Sequence, residues 1–527
     1  MANGGSFAGL LCSPSEQVGT GGLPPATLWE RRGLRNLMTS DYDMIVIGGG
    51  AAGLTAAGLS ASLGAKTALI EYRRLGGDCT WYGCIPSKTL LNAAKVMHSA
   101  AVADWCGLRA FRQEFRFEEL MRHVHAVQNS IYADADAPPV FEKLGVVVIE
   151  GSASFLDPHT VEVKHPLRAW ERLRSRYFVI ATGSAPLVPP IEGLDTIPYL
   201  TNETLFELDK LPERLIVIGG GPGGIEMAQA CRRLGSEVHV IASAERILPR
   251  DDPELSRLLQ EEMEREGIRF LLRSRAVRTE GTRAVRVGVE GPLPRTIEGD
   301  AVLIAAGRQS NVAELRLENA GVAVGKEGVV VNKHCRTSAR HIYASGDVTG
   351  LNRFTHMAEH MSKVAVTNAL LHLPLSIDTR GVVWCTYTDP ELAHVGMSEE
   401  DLQRRRRDFG VYRFPYSKID RAITDGRTTG MIKVLARKLN GRIYGAAILG
   451  ANAGELIGEY SLAVRNGITL RQIADTIHPY PTYGLGNRRA ADQWYARKQS
   501  RAVIRWLQRI FGYRGRLPDT FDPERIV

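Results

Sequence analysis

Met44-Ile45-Val46-Ile47-Gly48-Gly49-Gly50-Ala51-Ala52-Gly53 sets the fold of this 527-residue chain. Three of the four leading apolar residues are β-branched, as a buried strand requires. Glycines in the spacing G-x-G-x-x-G follow at once, and Leu54-Thr55-Ala56-Ala57 opens a helix of small residues. Strand, glycine turn and helix in this order make a dinucleotide-binding unit. Gly48 forms the tight turn, Gly50 lets the backbone approach a pyrophosphate, and Gly53 lets the helix pack on the strand. Thr67-Ala68-Leu69-Ile70 reads as a second strand ending at Glu71, 23 residues past Gly48, where a carboxylate accepts hydrogen bonds from a ribose.

The pattern returns further along. Leu215-Ile216-Val217-Ile218 runs into Gly219-Gly220-Gly221-Pro222-Gly223-Gly224, with a helix expected from Ile225 through Leu234 and a strand from Val238 to Ile241. Two such units imply two dinucleotides, with Gly219, Gly221 and Gly224 in the three glycine roles. Counting the same 23 residues from Gly219 reaches Ala242, so the ribose-binding acid is absent. Ser243 follows, with Arg246 and Arg250 downstream. Without the carboxylate nothing repels a 2′-phosphate and an arginine can bind one, which favours NADPH. NADH stays open, because Glu245 is also near.

A second chemical signal lies between the two units. Leu75-Gly76-Gly77-Asp78-Cys79-Thr80-Trp81-Tyr82-Gly83-Cys84-Ile85-Pro86-Ser87-Lys88 reads as a glycine-rich loop turning into a helix, since Pro86 fits only a first helical turn. Cys79 and Cys84 then sit at a helix N-terminus, where free N–H groups and the macrodipole favour a thiolate. A dithiol that begins eight residues after Glu71 lies close to the first dinucleotide, and that proximity argues for a flavin. Residues 177–183 and 301–307 read as strands ending in small residues, including Gly183 and Gly307, that suit a backbone passing against a cofactor. The latter segment is expected to return the chain to the first sheet. Residues 342–347 form another strand ending in Gly346 and Asp347, and the acid can bind a polyol hydroxyl.

At this length, 44% hydrophobic residues fill the cores of about three domains. Seven cysteines, Cys12, Cys79, Cys84, Cys106, Cys231, Cys335 and Cys385, are too few and too scattered for a disulfide scaffold. They read as reduced thiols plus one special pair, in a reducing, cytoplasmic setting. No apolar run is long enough to span a membrane. The net charge of +8 is concentrated in Arg497, Lys498, Arg501, Arg505, Arg509, Arg514 and Arg516, with no acid between them. Arg404 through Arg407 read as a solvated helix end without an aromatic platform, so no nucleic-acid partner is expected. Val503, Trp506, Leu507, Ile510 and Phe511 fall at helical spacing, so residues 494–513 are expected to form a basic amphipathic helix. Such a helix suits peripheral contact with an anionic membrane or docking on the protein itself. Residues 1–40, rich in Gly, Ser and Pro, form a leader expected to be disordered. It is either an over-extended start ahead of Met38 or, over residues 1–37, an organellar targeting segment. His356 and His360 read as helix packing rather than a zinc site.

In this order the motifs resemble the FAD-dependent pyridine nucleotide-disulfide oxidoreductases, the family of glutathione reductase, dihydrolipoamide dehydrogenase and mercuric reductase, over residues 41–490. The resemblance implies an α/β fold of two Rossmann-like dinucleotide-binding domains plus a C-terminal α+β dimerisation domain. The FAD-binding domain would span residues 41–185 and 298–372 and the NAD(P)H-binding domain 186–297. The dimerisation domain of a homodimer would span 380–490, with 491–527 as a basic tail. By resemblance, Gly48, Gly50, Gly53 and Glu71 hold the ADP half of FAD and Asp347 its ribityl chain, with Gly183, Gly307 and Gly346 alongside. Gly219, Gly221, Gly224 and Ser243 hold the nicotinamide dinucleotide. Cys79 becomes the interchange thiol and Cys84 the thiol against the flavin. Lys88 becomes the lysine near flavin N5, with Glu226 its ion-pair partner.

Disulfide reductases of this family take an acid/base His from a His-Pro-Thr-x-x-Glu sequence of the partner chain. The matching stretch here is His478-Pro479-Tyr480-Pro481-Thr482-Tyr483-Gly484-Leu485, with Tyr480 at the His position and Leu485 at the Glu position. A phenol with a pKa of about 10 does not shuttle protons near neutrality. Mercuric reductases show the same exchange and a second tyrosine ahead of a Thr-rich turn, matched by Tyr199. The resemblance thus implies electron transfer from NADPH through FAD and the Cys79/Cys84 pair to Hg(II), with the ion expected to be held transiently by Cys79, Cys84, Tyr199 and Tyr480. Dihydrolipoamide-type disulfide chemistry and membrane-associated NAD(P)H:quinone reduction are the alternatives. The chain departs from mercuric reductases in ending without a cysteine pair and in having no N-terminal metal-binding domain, so direct delivery of the metal to the inner cysteines is expected.

Overall fold

The computed structural model describes residues 40–103, 107, 115–281, 284–498 and 501–516. The leader ahead of residue 40, Cys12, Cys106 and residues 517–527 lie outside the described residues. Strand Tyr42–Ile47 is the centre of the first unit, and Met44 through Ile47 are buried. It pairs in parallel with Thr67–Glu71 on one side and Glu171–Ile180 on the other, and Val146–Glu150 and Ile342–Ala344 extend the sheet. Parallel strands are covered on both faces, which is why these segments are apolar throughout. Helices Ala51–Ser62 and Thr355–Leu370 cover one face. An antiparallel meander of Ser152–Asp157, Thr160–Lys164 and Glu171–Ile180 closes the other around Phe155 and Phe178.

The second unit repeats the plan. Strand Arg214–Ile218 lies between Glu237–Ile241 and Ala301–Ile304, with Arg269–Leu271 at the edge, all parallel. The expectation that residues 301–307 return the chain to the first sheet is corrected, because Ala301–Ile304 pairs with Leu215–Ile218 in the second. The central strand of that sheet would otherwise leave an unpaired edge, and an apolar strand ending in small residues serves either sheet. The return comes later, where Arg308–Ser310 pairs with Ser184–Pro186 and Ile342–Ala344 pairs with Glu171–Ile180. Helices Pro222–Leu234 and Pro253–Arg265 pack on one face of the second sheet, and a three-stranded antiparallel sheet covers the other.

The third unit is a five-stranded antiparallel sheet in the order Val383–Thr386, Glu391–Gly396, Ile443–Gly450, Met431–Ala436, Gly410–Pro415. Helices Ala453–Asn466, Leu470–Asp475 and Leu485–Lys498 pack on it. Of the helix expected over 494–513, residues 494–498 and 501–511 are helical, and residues 499–500 lie outside the described residues. Trp494, 7% exposed, belongs to the core of the third unit, and helix Arg501–Phe511 carries the rest of the tail's apolar residues. Buried ion pairs fix the third unit to the second. Arg233, 4% exposed, meets Glu266 at 2.7 Å and Asp389 at 2.9 Å, and Lys433 meets Asp252 at 2.7 Å. Among the described residues no helix is long and apolar enough to cross a membrane.

Candidate active site

Both glycine turns have the same geometry. Gly48 and Gly219 hold φ of +106° and +132°, and a side chain on either would strike the carbonyl of Ala181 or Ala305 in the neighbouring strand. A Cβ on Gly53 or Gly224 would strike the carbonyl of Gly48 or Gly219, so these glycines permit the helix to approach the strand. Around Gly221 a Cβ would meet open space, so the missing side chain leaves room for a ligand. Helices Ala51–Ser62 and Pro222–Leu234 start from Gly50 and Gly221 with no side-chain cap, leaving first-turn N–H groups for a pyrophosphate. Glu71 accepts the Gly49 N–H at 2.6 Å and the Arg73 N–H at 2.8 Å. At the other end of the first cradle, Asp347 accepts from Ser184 Oγ at 2.7 Å. Gly183 and Gly346 take positive φ, and a Cβ on Gly183 would meet open space. Gly307 also takes positive φ, where the chain leaves the second sheet. The first cradle fits FAD in its donor set and shape.

In the second unit Ala242 is buried against Gly220, in the place where Glu71 stands against Gly49. Ser243 is exposed beside it. Arg246 and Arg273 each reach Glu245 at 3.3 Å, so two guanidiniums gather at this mouth, while Arg250 lies exposed. Arg273 was missed in the sequence because it arrives from beyond the Arg269–Leu271 strand, its N–H donating to Ala244 O at 2.8 Å.

Cys84 is the first residue of helix Cys84–Ala101, behind a Gly83 cap without a side-chain oxygen. Cys79 lies in the short helix Gly77–Trp81 just ahead. Both are free thiols, as are Cys231, Cys335 and Cys385. The Cys79 thiol donates to the Cys84 sulfur. That bond, opposed by desolvation and aided by the Lys88 cation and the Thr355 hydroxyl, holds the Cys84 pKa down at about 6. Thr355 Oγ1 lies 3.7 Å from Cys84 Sγ. The same bond and then burial push Cys79 far upward. Near neutral pH the pair therefore holds one thiolate, on Cys84, and one proton, on Cys79.

Lys88 stands one helical turn past Cys84. Its Nζ is 2.9 Å from Glu226 Oε2 and 4.7 Å from the centre of the Tyr387 ring. The Glu226 side chain, 5% exposed, accepts the Tyr387 N–H at 2.8 Å through its other oxygen. Burial pulls the Lys88 pKa down and the Glu226 carboxylate more than offsets it, so the ammonium stays charged. The redox loop is anchored from behind, where Thr80 donates to Asp136 at 2.7 Å and Gln128 donates to the carbonyls of Thr80 and Trp81.

Several residues near this centre carried no motif. Asp78 accepts from Asn202 at 2.9 Å and pairs with Arg308 at 3.2 Å, while Arg308 donates to Ser184 Oγ at 2.7 Å. A ring stack runs from His356 through Phe354 and Trp384 to His394, with centroids 5.4, 6.0 and 4.2 Å apart. Trp384 also donates to Asp251 of the second unit at 2.8 Å. His356 meets Val383 O, and His360 accepts the Asp378 N–H. Among the described residues no group of three His, Cys, Asp or Glu side chains is set to hold a metal. Of the four residues assigned to a transient ion, Cys79 and Cys84 interact with each other. Tyr199 packs against the core of the second unit, and Tyr480 is 70% exposed on the third.

Comparison with known proteins agrees with this geometry. Residues 42–368 match the family profile described as pyridine nucleotide-disulphide oxidoreductase, and residues 382–489 match its dimerisation domain. A mercuric reductase of Lysinibacillus sphaericus is 35% identical over 459 residues, 86% of this chain and 82% of that one. A dihydrolipoyl dehydrogenase of Bacillus subtilis is 31% identical over 84% of this chain and 96% of its own. Among solved structures, the Cu(II) complex of the HOCl-induced flavoprotein disulfide reductase RclA from Escherichia coli superposes with a TM-score of 0.76 at 29% identity. The match covers 86% of this chain and 99% of that one.

Proposed function

Because the chain belongs to the pyridine nucleotide-disulphide oxidoreductase family, we propose that it is an NADPH-dependent reductase whose acceptor is a thiol-bound metal ion, Hg(II) foremost. Members of the family bind FAD and use NAD(P)H, and the dimerisation domain makes the protein a homodimer.

Tyr480 carries the choice of acceptor. Its hydroxyl donates to Asp420, and that bond raises its pKa above 10.0. Such a group cannot cycle a proton near neutral pH. His478 does not replace it, because its Nδ1 meets Thr476 O at 2.9 Å and its Nε2 meets Glu459 at 3.1 Å. Disulfide exchange must protonate a departing thiol. A metal ion held between two sulfurs leaves without one, and thiolates suit soft ions. Cu(II), the ion in the E. coli structure, is the second candidate, since thiolates also suit copper.

Bound FAD, held by the first glycine turn, Glu71 and Asp347, supplies two-electron chemistry between a nicotinamide and a disulfide. The chain's own residues do the rest. Cys84 offers a thiolate as formed, Cys79 gives up its proton when the ion binds, and Lys88 keeps a fixed positive charge beside them. NADPH is favoured over NADH by Ala242, Ser243 and the two guanidiniums of Arg246 and Arg273. An NADPH oxidation screen against Hg(II), Cu(II), lipoamide, glutathione disulfide and quinones tests the reading. Hg(II)-dependent oxidation that disappears in Cys79→Ser is expected. Rapid lipoamide turnover with no response to Hg(II) overturns it.

A further inference from the structure

The redox centre makes no use of the helix Arg501–Phe511. The preceding helix is tied into the third unit, where Trp494 donates to Lys438 O at 3.3 Å. Beyond it the apolar residues turn outward. Trp506, Ile510 and Phe511 are 60%, 53% and 60% exposed, and Tyr513, whose ring stacks on Phe511 with centroids 5.7 Å apart, is 64% exposed. Helical spacing puts residues 506, 510 and 511 on one side. Arg505 and Arg509 stand exposed along its flank, and Arg514 and Arg516, also exposed, follow after the helix. No acid occurs between Asp492 and Asp519.

Exposed aromatic and aliphatic residues beside arginines match an anionic bilayer surface, where rings enter the headgroup boundary while guanidiniums meet lipid phosphates. Among the described residues no helix is long and apolar enough to span a bilayer, and Arg505 and Arg509 lie within this one. A second copy of the same helix is a poor occupant, because it would set the same arginines against these in a chain that already carries +8. We propose that helix Arg501–Phe511 seats the enzyme on an anionic membrane surface, with Trp506, Ile510 and Phe511 in the interface and Arg505, Arg509, Arg514 and Arg516 on the phosphates.

The full-length, FAD-loaded protein is sedimented with vesicles of phosphatidylcholine alone and of phosphatidylcholine containing phosphatidylglycerol. Binding to the second type only, weakened by added salt, is expected. Arg505→Gln with Arg509→Gln should lower the partition about fivefold for each arginine removed. Trp506→Ser with Ile510→Ser should abolish it. Both variants should keep wild-type NADPH oxidation in solution, because none of these positions touches the thiols or the glycine turns. Absence of sedimentation with anionic vesicles overturns the proposal, as does equal partition of wild type and both variants. Dissociation of Trp506→Ser with Ile510→Ser into monomers in sedimentation equilibrium also overturns it, by assigning the face to the partner chain.

Discussion

Removing the Cys79 thiol should be felt first at Cys84. The Cys84 pKa stands at about 6 against an ordinary 9.0, which is about 4 kcal/mol in favour of its thiolate. The largest contributor is the bond from Cys79. A hydrogen bond to a charged acceptor is worth about 1.5 to 3 kcal/mol, equivalent to about one to two pH units. In Cys79→Ala the Cys84 pKa should therefore rise to between about 7 and about 8. The sign is that of a lowered pKa: the thiolate is present above the midpoint and lost as pH falls through it, and the variant moves that loss upward. At pH 7 the thiolate fraction falls from about nine-tenths to between about a half and about a tenth. Titration of the ultraviolet thiolate absorbance of the reduced protein, with Cys84→Ser as blank, reads the midpoint directly. A midpoint that stays near 6 in Cys79→Ala would show that Lys88 and the helix terminus suffice alone, and that the Cys79 proton is not what holds the thiolate on Cys84.

Three other outcomes are expected. Ala242→Glu should shift the kcat/KM ratio toward NADH, and Arg273→Ala should lower kcat/KM for NADPH about tenfold while sparing NADH. Steady-state kinetics with both nucleotides decides this, and a parent enzyme that prefers NADH would refute it. Tyr480→Phe should lower Hg(II)-dependent oxidation without altering its pH profile, and Tyr480→His should raise disulfide reduction only slightly because Leu485 offers no carboxylate to orient the ring. Arg233→Met leaves Glu266 and Asp389 buried without their shared guanidinium, so stability should fall by about 3 kcal/mol, at the low end for such pairs because Arg427 still reaches Asp389. Denaturant unfolding of the holoenzyme checks it.

Features encoded by local chain geometry were legible in the sequence. The two glycine turns, Glu71 at the end of its strand and the cysteines at a helix start all follow from spacing within some thirty residues. Ala242 was readable for the same reason, since it occupies a counted position. Strand Ala301–Ile304 was misplaced because periodicity tells that a strand is buried, not which sheet edge needs it. Arg273, Arg308, Thr355 and Tyr387 reach the candidate site through tertiary packing, and no pattern in their own neighbourhoods announces that. In the tail, the helical spacing of apolar residues ran through a change of environment. Trp494 faces a core and Trp506 faces outward, a difference set by what each stretch packs against and not by the apolar residues alone.

The ring stack has a consequence for how this protein can diverge. Phe354 comes from the first unit, Trp384 from the third, and Asp251, which takes the indole N–H, from the second. Thr355, the next residue after Phe354, is the one that reaches Cys84. A chimera that took only its dimerisation domain from a relative lacking the indole would strip Phe354 of its facing ring and leave the Asp251 carboxyl, whose pKa burial already pushes up to about 6, without its donor. The threonine beside the thiolate would lose its brace. Recombination between relatives should therefore keep or lose the three positions together.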